Sequence, residues 1–215
     1  MLDRIFLKTY PAPPIDEGEI LRYAGWKGEA DENIKALLEE CITESESVLS
    51  YRLCYRVFDV KQTREQVKSQ TVRHYLDDCE QAVAFAATMG LGLDRLIARY
   101  SGGRTAKALL LQALGAERIE ALCDAFCQDL KTEYEVQGLY VGRRFSPGYG
   151  DFPLQAQKEI FTALDCPRKI GLTLTDSFLM SPTKSVTAIV GLSERRRECE
   201  NVCAACEKTD CGYRK

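Results

Sequence analysis

The chain has 215 residues, 45% hydrophobic and 28% charged, which is the composition of a folded globular protein and excludes disordered, collagen-like and coiled-coil classes. Lys plus Arg is 29 and Asp plus Glu is 32, a net charge of -3, so the basic footprint of a general nucleic-acid binder is missing. The longest apolar run, Ala82 to Leu93, is twelve residues and is broken by Gly90 and Gly92. A membrane span needs about 20. The N-terminal stretch has no apolar core followed by a small-residue cleavage site, so no signal peptide is read there and a cytoplasmic protein is expected.

Along the chain, residues 1–13 read as extended and run into Pro11, Pro13 and Pro14. Asp16 is placed to cap a short helix over EGEILRYAG, and Asp31 to cap a second over 31–49, where Ile34, Leu37, Leu38, Cys41 and Ile42 follow helical spacing. The aromatic and β-branched run 51–60 predicts a strand. A short helix near 71–79 carries His74, and AVAFAATMG after it predicts a buried strand. GLDRLIARY is helical. The longest helix is expected from Thr105 to Val136, with Leu109, Leu110, Leu114, Ile119, Leu122, Phe126 and Leu130 on its apolar face and Gly115 as a candidate break. GLYVGRRF (138–145) predicts a strand, SPGYGDFP (146–153) a loop and 154–164 a short helix, followed by strands over IGLTLT and SVTAIVGL. Helices and strands mix without a regular alternation, which points to an α+β domain over 1–192 and a Cys-rich tail over 193–215.

Two counts bear on function: one histidine and ten cysteines. A lone His excludes His-rich metal sites and most zinc hydrolases. Cysteines in a chain read as cytoplasmic point to buried thiols or metal ligation rather than disulfides. Cys41, Cys54, Cys79, Cys123, Cys127 and Cys166 are scattered, whereas Cys199, Cys203, Cys206 and Cys211 follow a C-x3-C-x2-C-x4-C pattern. Four thiolates within thirteen residues can close on one zinc ion or one iron–sulfur cluster, and ligand softness does not separate the two. The first three also match the C-x3-C-x2-C spacing of radical S-adenosylmethionine enzymes, but at the C-terminal end of the sequence no barrel follows them. His74 is read as a surface or satisfied core residue rather than a base for a cysteine nucleophile. Cys123 and Cys127 are read as small core hydrophobes, Trp26 as core packing, and Arg195-Arg196-Arg197 as a solvated run.

The second candidate site is RFSPGYGD, 144–151. It joins a cation, Arg144, to a proline-stiffened turn, Gly148 and Gly150, which let a backbone approach a ligand, and the aromatic ring of Tyr149. Taken alone it suits either a carboxylate-bearing small molecule or a plain structural turn.

R-x-x-P-G-Y closely resembles the S-adenosylmethionine-binding motif of the activation (reactivation) domain of cobalamin-dependent methionine synthase. Residues 168–180 (RKIGLTLTDSFLM) and 181–186 (SPTKSV) resemble that domain's IGM-LTESFAM and W-P-x-x-S-V stretches. The block 140–193 is about a quarter of the chain, and LRYAGWKG, YRVFDV and the terminal CGYRK resemble stand-alone members of the family. The resemblance implies an α+β fold with a central, largely antiparallel sheet, flanking helices and a curved, helmet-like shape. It implies a repair function: binding S-adenosylmethionine and supporting reductive methylation of cob(II)alamin, held by a partner methionine synthase, with a flavodoxin- or ferredoxin-like electron donor. Arg144 would then hold the methionine carboxylate, the backbone of Ser146 would grip the ligand, Gly148 would permit close approach, and Tyr149 would lie near the methyl or corrin side. Thr183 and Lys184 would be pocket or docking residues. Phe145 and Ser146 stand where the fused domain has Pro and Ala, Val190 stands where it has a ligand-contacting Tyr, and no position is assigned to the family's N-terminal ligand Asp. No catalytic acid, base or nucleophile is assigned, since positioning suffices for the implied chemistry. A monomer that visits its partner is expected. The alternatives are activation of another corrinoid methyltransferase and a non-enzymatic metal-binding interaction module.

Overall fold

Eight α-helices and seven β-strands are present among the described residues of the structure, a computed structural model that describes residues 4–195. In chain order they are β1 (Phe6–Tyr10), α1 (Glu17–Tyr23), α2 (Glu32–Glu46), β2 (Tyr51–Asp59), α3 (Val60–Thr63), α4 (Gln70–Leu76), β3 (Gln81–Thr88), α5 (Leu91–Ser101), α6 (Thr105–Glu135), β4 (Tyr140–Phe145), α7 (Gln157–Leu164), α8 (Cys166–Ile170), β5 (Thr173–Leu174), β6 (Met180–Ser181) and β7 (Ser185–Ser193). Five strands form one sheet in the order β1-β2-β3-β7-β4, with every neighbouring pair antiparallel, and β5 and β6 form a small hairpin. This is the expected α+β class.

The helix starts follow the capping residues. Asp16 accepts from the Glu19 amide at 3.0 Å, and Asp31 from the Ile34 amide at 2.9 Å. The run Ala82–Met89 is apolar at nearly every position because β3 is the middle strand and both its faces are covered. On one face Val83 and Phe85 join Leu53 and Tyr55 of β2, Val190 and Leu192 of β7, and Leu122, Phe126 and Leu130 of α6. On the other, Cys54 and Ala86 meet Ile160, Phe161 and Leu164 of α7 and Ile170 of α8, while Val72, Tyr75 and Leu76 of α4 pack beside them. The sheet therefore lies between α6 and the α4–α7–α8 group.

Polar contacts tie α6 to its neighbours. Asp129 accepts from Lys8 at 2.9 Å and from Tyr10 at 2.7 Å on β1. The buried Lys107 ammonium donates to Glu40 at 2.7 Å and to Glu44, both on α2. Arg118, 1% exposed, donates to the carbonyls of Pro13 and Pro14, each at 2.6 Å, and pairs with buried Glu117. The proline stretch before α1 is thereby fastened to the long helix.

Several expectations change. Gly115 does not break α6; the missing side chain makes room for Leu93 and the stem of Lys184. The strand expected over IGLTLT shrinks to β5, because Cys166–Ile170 forms α8 with Pro167 in its first turn and Gly171, at φ +68°, ending it. Trp26 is 38% exposed rather than core, its indole N–H donating to the Glu29 carbonyl at 3.3 Å. The scattered cysteines are free thiols, five buried and Cys127 half-buried. Burial pushes the Cys41 thiol up to about 11 and raises that of Cys123, which keeps both in the unreactive protonated form. No helix among the described residues is long and apolar enough to cross a membrane.

Candidate functional site

The candidate site is built on β4, an edge strand, and the loop that follows it. Val141 lies opposite Leu192 and Arg144 opposite Val190, so β4 carries one residue more than β7 over this stretch, a β-bulge. Arg144 faces α6. Its Nη2 donates to Glu120 at 2.9 Å and to Asp124 at 2.8 Å, acids one helical turn apart on α6. The Arg144 side chain is 22% exposed, against 45% for Glu120 and 73% for Asp124. One cation against two carboxylates leaves a net negative charge at a half-buried spot, a setting that favours a ligand carrying positive charge. Both pairings use the same guanidinium nitrogen, and Arg has further N–H donors for a carboxylate.

Beyond Arg144 the chain turns tightly. The Tyr149 amide donates to the Ser146 carbonyl at 3.3 Å and the Gly148 amide to the Phe152 carbonyl at 2.8 Å. Gly148 has φ +95° and Gly150 φ +59°, where a Cβ is unfavourable. The Ser146 carbonyl is therefore used inside the turn. The Tyr149 ring is 76% exposed and projects from it. The turn is anchored at its far end, where Phe152 is buried and the Asp151 carboxylate accepts from Ser69 Oγ at 2.6 Å and from the Gln70 and Thr71 amides at 2.7 and 3.1 Å. Asp151 thus ties the loop to the start of α4.

These bonds, the Ser69 hydroxyl first, hold the Asp151 carboxyl at about 2, below its ordinary 3.8. A depressed value means that the folded state stabilises the ionised form. This contribution is complete above the ordinary value and is lost as pH falls from 3.8 towards about 2. Asp151→Ala is expected to lower the melting temperature at pH 7 and to flatten its acid dependence across that window, as read by thermal unfolding at a series of pH values. An unchanged acid limb would remove Asp151 from this role.

Thr183 and Lys184 sit just before β7. Because β4 runs antiparallel to β7, the glycine loop leaves Arg144 in the direction of this end of β7. Thr183 donates to Asp94 of α5 from its amide at 2.8 Å and from its hydroxyl at 2.5 Å. Lys184 is half-buried against Gly115, and burial lowers its pKa while Asp94 opposes the shift. Lys184 lies six positions before Val190, about 20 Å of extended chain. Arg144, Ser146, Gly148 and Tyr149 thus form one continuous group, and Thr183 and Lys184 lie along the same edge of the sheet at a distance from the guanidinium.

Other candidates separate from this site. His74 has a 90% exposed side chain, with Nδ1 3.2 Å from Asp77, in an open polar groove also lined by Arg64, Gln70 and Arg73. Val190, opposite Arg144, is fully buried. Among the described residues no group of three or more His, Cys, Asp or Glu side chains could hold a metal. Cys199, Cys203, Cys206 and Cys211 lie outside the described residues, as do Arg196 and Arg197. Glu120 and Asp124 are not legible as partners in the sequence because they lie 24 and 20 positions before Arg144, and no local pattern joins a helix face to an edge strand.

A family model described as the activation domain of vitamin B12 dependent methionine synthase matches residues 60–202. The chain belongs to this activation-domain family. The match spans β3, α6, β4, the glycine loop and β7, so every element of the Arg144 site falls within it. Among solved structures, a crystal structure of the MetH reactivation domain bound to AdoHcy is similar in fold, with a TM-score of 0.62 and 16% identity, covering 91% of this chain and 80% of that one. The expected activation-domain fold, an antiparallel sheet with flanking helices, is thereby established.

Proposed function

We propose that the protein reactivates a cobalamin-dependent methionine synthase by binding S-adenosylmethionine and presenting its methyl group to the partner's cobalamin. The observation that carries this reading is the Arg144–Glu120–Asp124 cluster beside the glycine loop of an activation-domain fold. That the related reactivation domain is bound to AdoHcy supports the choice of ligand. In this reading Arg144 turns a free N–H edge to the ligand carboxylate, and Glu120 and Asp124 balance its α-ammonium and sulfonium charges. Gly148 leaves room for the ligand, and the exposed Tyr149 ring faces the sulfonium or the corrin, where an aromatic face tolerates positive charge. Ser146, Thr183 and Lys184 complete the wall or the docking rim.

The partner's cobalt, reduced by one electron from a flavodoxin- or ferredoxin-like donor, takes the methyl group as the carbon–sulfur bond breaks, and S-adenosylhomocysteine leaves with that electron pair. Binding and orientation are the contributions of this chain, and neither requires an acid or a base. The protein acts as a monomer, since it must visit and leave the cobalamin domain.

The test holds a partner methionine synthase as cob(II)alamin, adds a strong chemical reductant and S-adenosylmethionine, and follows the visible spectrum. A methylcobalamin spectrum that appears only with this protein is expected. Docking without methylation would redirect the activity to another corrinoid protein, and neither docking nor methylation would overturn the reading. The tail over 193–215 is read, on its cysteine spacing alone, as a separate metal-binding segment using Cys199, Cys203, Cys206 and Cys211. Metal and sulfide analysis of anaerobically purified protein distinguishes zinc from an iron–sulfur cluster, and a metal-free protein would remove the assignment.

A further inference from the structure

Arg144 faces α6 for a reason that lies on the other side of the sheet. Tyr75 stands on α4, and its hydroxyl enters the bulge between β4 and β7. It donates to the Arg143 carbonyl at 3.0 Å and accepts from the Gly191 amide at 2.9 Å, taking up two backbone groups at the irregularity. Gly142 admits it, since a Cβ there would collide with the phenolic oxygen. A Cβ at Gly191 would strike Cys79 Sγ, at 2.5 Å, and would also crowd the Tyr75 ring at 3.2 Å. Tyr75 also packs on Phe145, ring centroids 4.5 Å apart.

Alternation along a strand turns one extra residue into a change of face. Val141 packs on the α6 side with Leu192. In a regular strand the next residue on that side would be Arg143, opposite Val190, and Arg144 would point towards α4. The bulge gives the position opposite Val190 to Arg144 instead. Arg143 is left on the surface with its guanidinium 4.5 Å from the Phe145 ring centroid. Two adjacent arginines are thus sorted by one inserted residue.

We propose that Tyr75 is a positioning residue whose phenol pins this bulge and so delivers Arg144, not Arg143, to the α6 face where the ligand carboxylate is held. The proposal rests on the reading that Arg144 holds that carboxylate. Tyr75→Phe keeps the ring and leaves the Gly191 amide and the Arg143 carbonyl without their partner.

The experiment titrates the full chain calorimetrically with S-adenosylmethionine and with 5′-methylthioadenosine, which lacks the amino-acid portion. Circular dichroism follows the fold. Tyr75→Phe is expected to weaken S-adenosylmethionine about tenfold, the size of one lost hydrogen bond, and to leave 5′-methylthioadenosine unchanged. Tyr75→Phe combined with Arg144→Ala is expected to bind no more weakly than Arg144→Ala alone. Equal weakening of both ligands would show a merely structural effect and overturn the proposal. Unchanged S-adenosylmethionine affinity in Tyr75→Phe, with a loss in Arg144→Ala, would overturn it and leave the Arg144 reading standing. No loss in Arg144→Ala would overturn both. Should Tyr75→Phe fail to fold, the surface variant Arg143→Ala decides: unchanged affinity is expected, and a loss would show that the other arginine meets the ligand.

Discussion

Arg144→Ala will raise the dissociation constant for S-adenosylmethionine by about ten- to a hundredfold, the size of a charge-assisted contact of roughly 1.5–3 kcal/mol. The fold will survive the change. Losing the guanidinium leaves Glu120 and Asp124 facing each other one turn apart on α6. Like charges at that spacing cost only a few tenths of a kcal/mol when exposed. The melting temperature should therefore move little while affinity falls, and that separation marks a binding residue rather than a scaffold residue. Arg144→Lys should recover only part of the affinity. An ammonium lacks the planar fork that can keep Glu120 and Asp124 on one nitrogen while offering other donors to the ligand. Calorimetry with parallel thermal unfolding checks both statements, and wild-type affinity in Arg144→Ala would sink the site.

The largest loss of stability is expected at Arg118. Its guanidinium is buried and spends its donors on the Pro13 and Pro14 carbonyls and on Glu117, whose Oε1 also accepts from the Asp16 amide at 3.3 Å. A proline stretch cannot join a strand ladder through its own nitrogens, so its carbonyls here depend on a side-chain donor. Arg118→Met preserves apolar volume but leaves Glu117, 5% exposed, as an unpaired buried carboxylate. Breaking such a pair costs about 3–5 kcal/mol, a fall of roughly 10 °C in melting temperature for a chain of this size. Glu117→Gln in the same chain should recover part of the loss, because the stranded charge is gone. Denaturant unfolding of the single and double variants measures both effects. A loss below about 1 kcal/mol for Arg118→Met would show that the guanidinium does not anchor the segment.

The two arginines show how differently a sequence exposes its chemistry. Arg144 is visible because its neighbours are unusual: a proline, two glycines and two aromatic rings in the seven residues that follow it. Arg118 was invisible. It sits in a helical run, E-R-I-E, where no neighbouring residue marks it out, and its burial arises because the proline segment crosses α6 at that point. Trp26 failed in the opposite sense. A single tryptophan reads as core, yet it lies in a turn between α1 and α2 and is partly exposed.

Local chemistry determined the elements. Asp16 and Asp31 set helix starts because their carboxylates meet free amides within three residues. The β3 run declared a covered strand because no polar position interrupts it, and the glycine loop declared a turn because its backbone needs positive φ. Such signals act over a few residues and are written in neighbouring letters. Which arginine faces α6 was decided by tertiary structure. Arg143 and Arg144 are identical in chemistry and adjacent in sequence, and a one-residue register difference, held by a tyrosine almost 70 positions away, sends them to opposite faces. Glu120 and Asp124 become partners for the same reason, because the facing of α6 and β4 depends on how the whole sheet packs. Register and packing are long-range quantities, and no local pattern of residues encodes them.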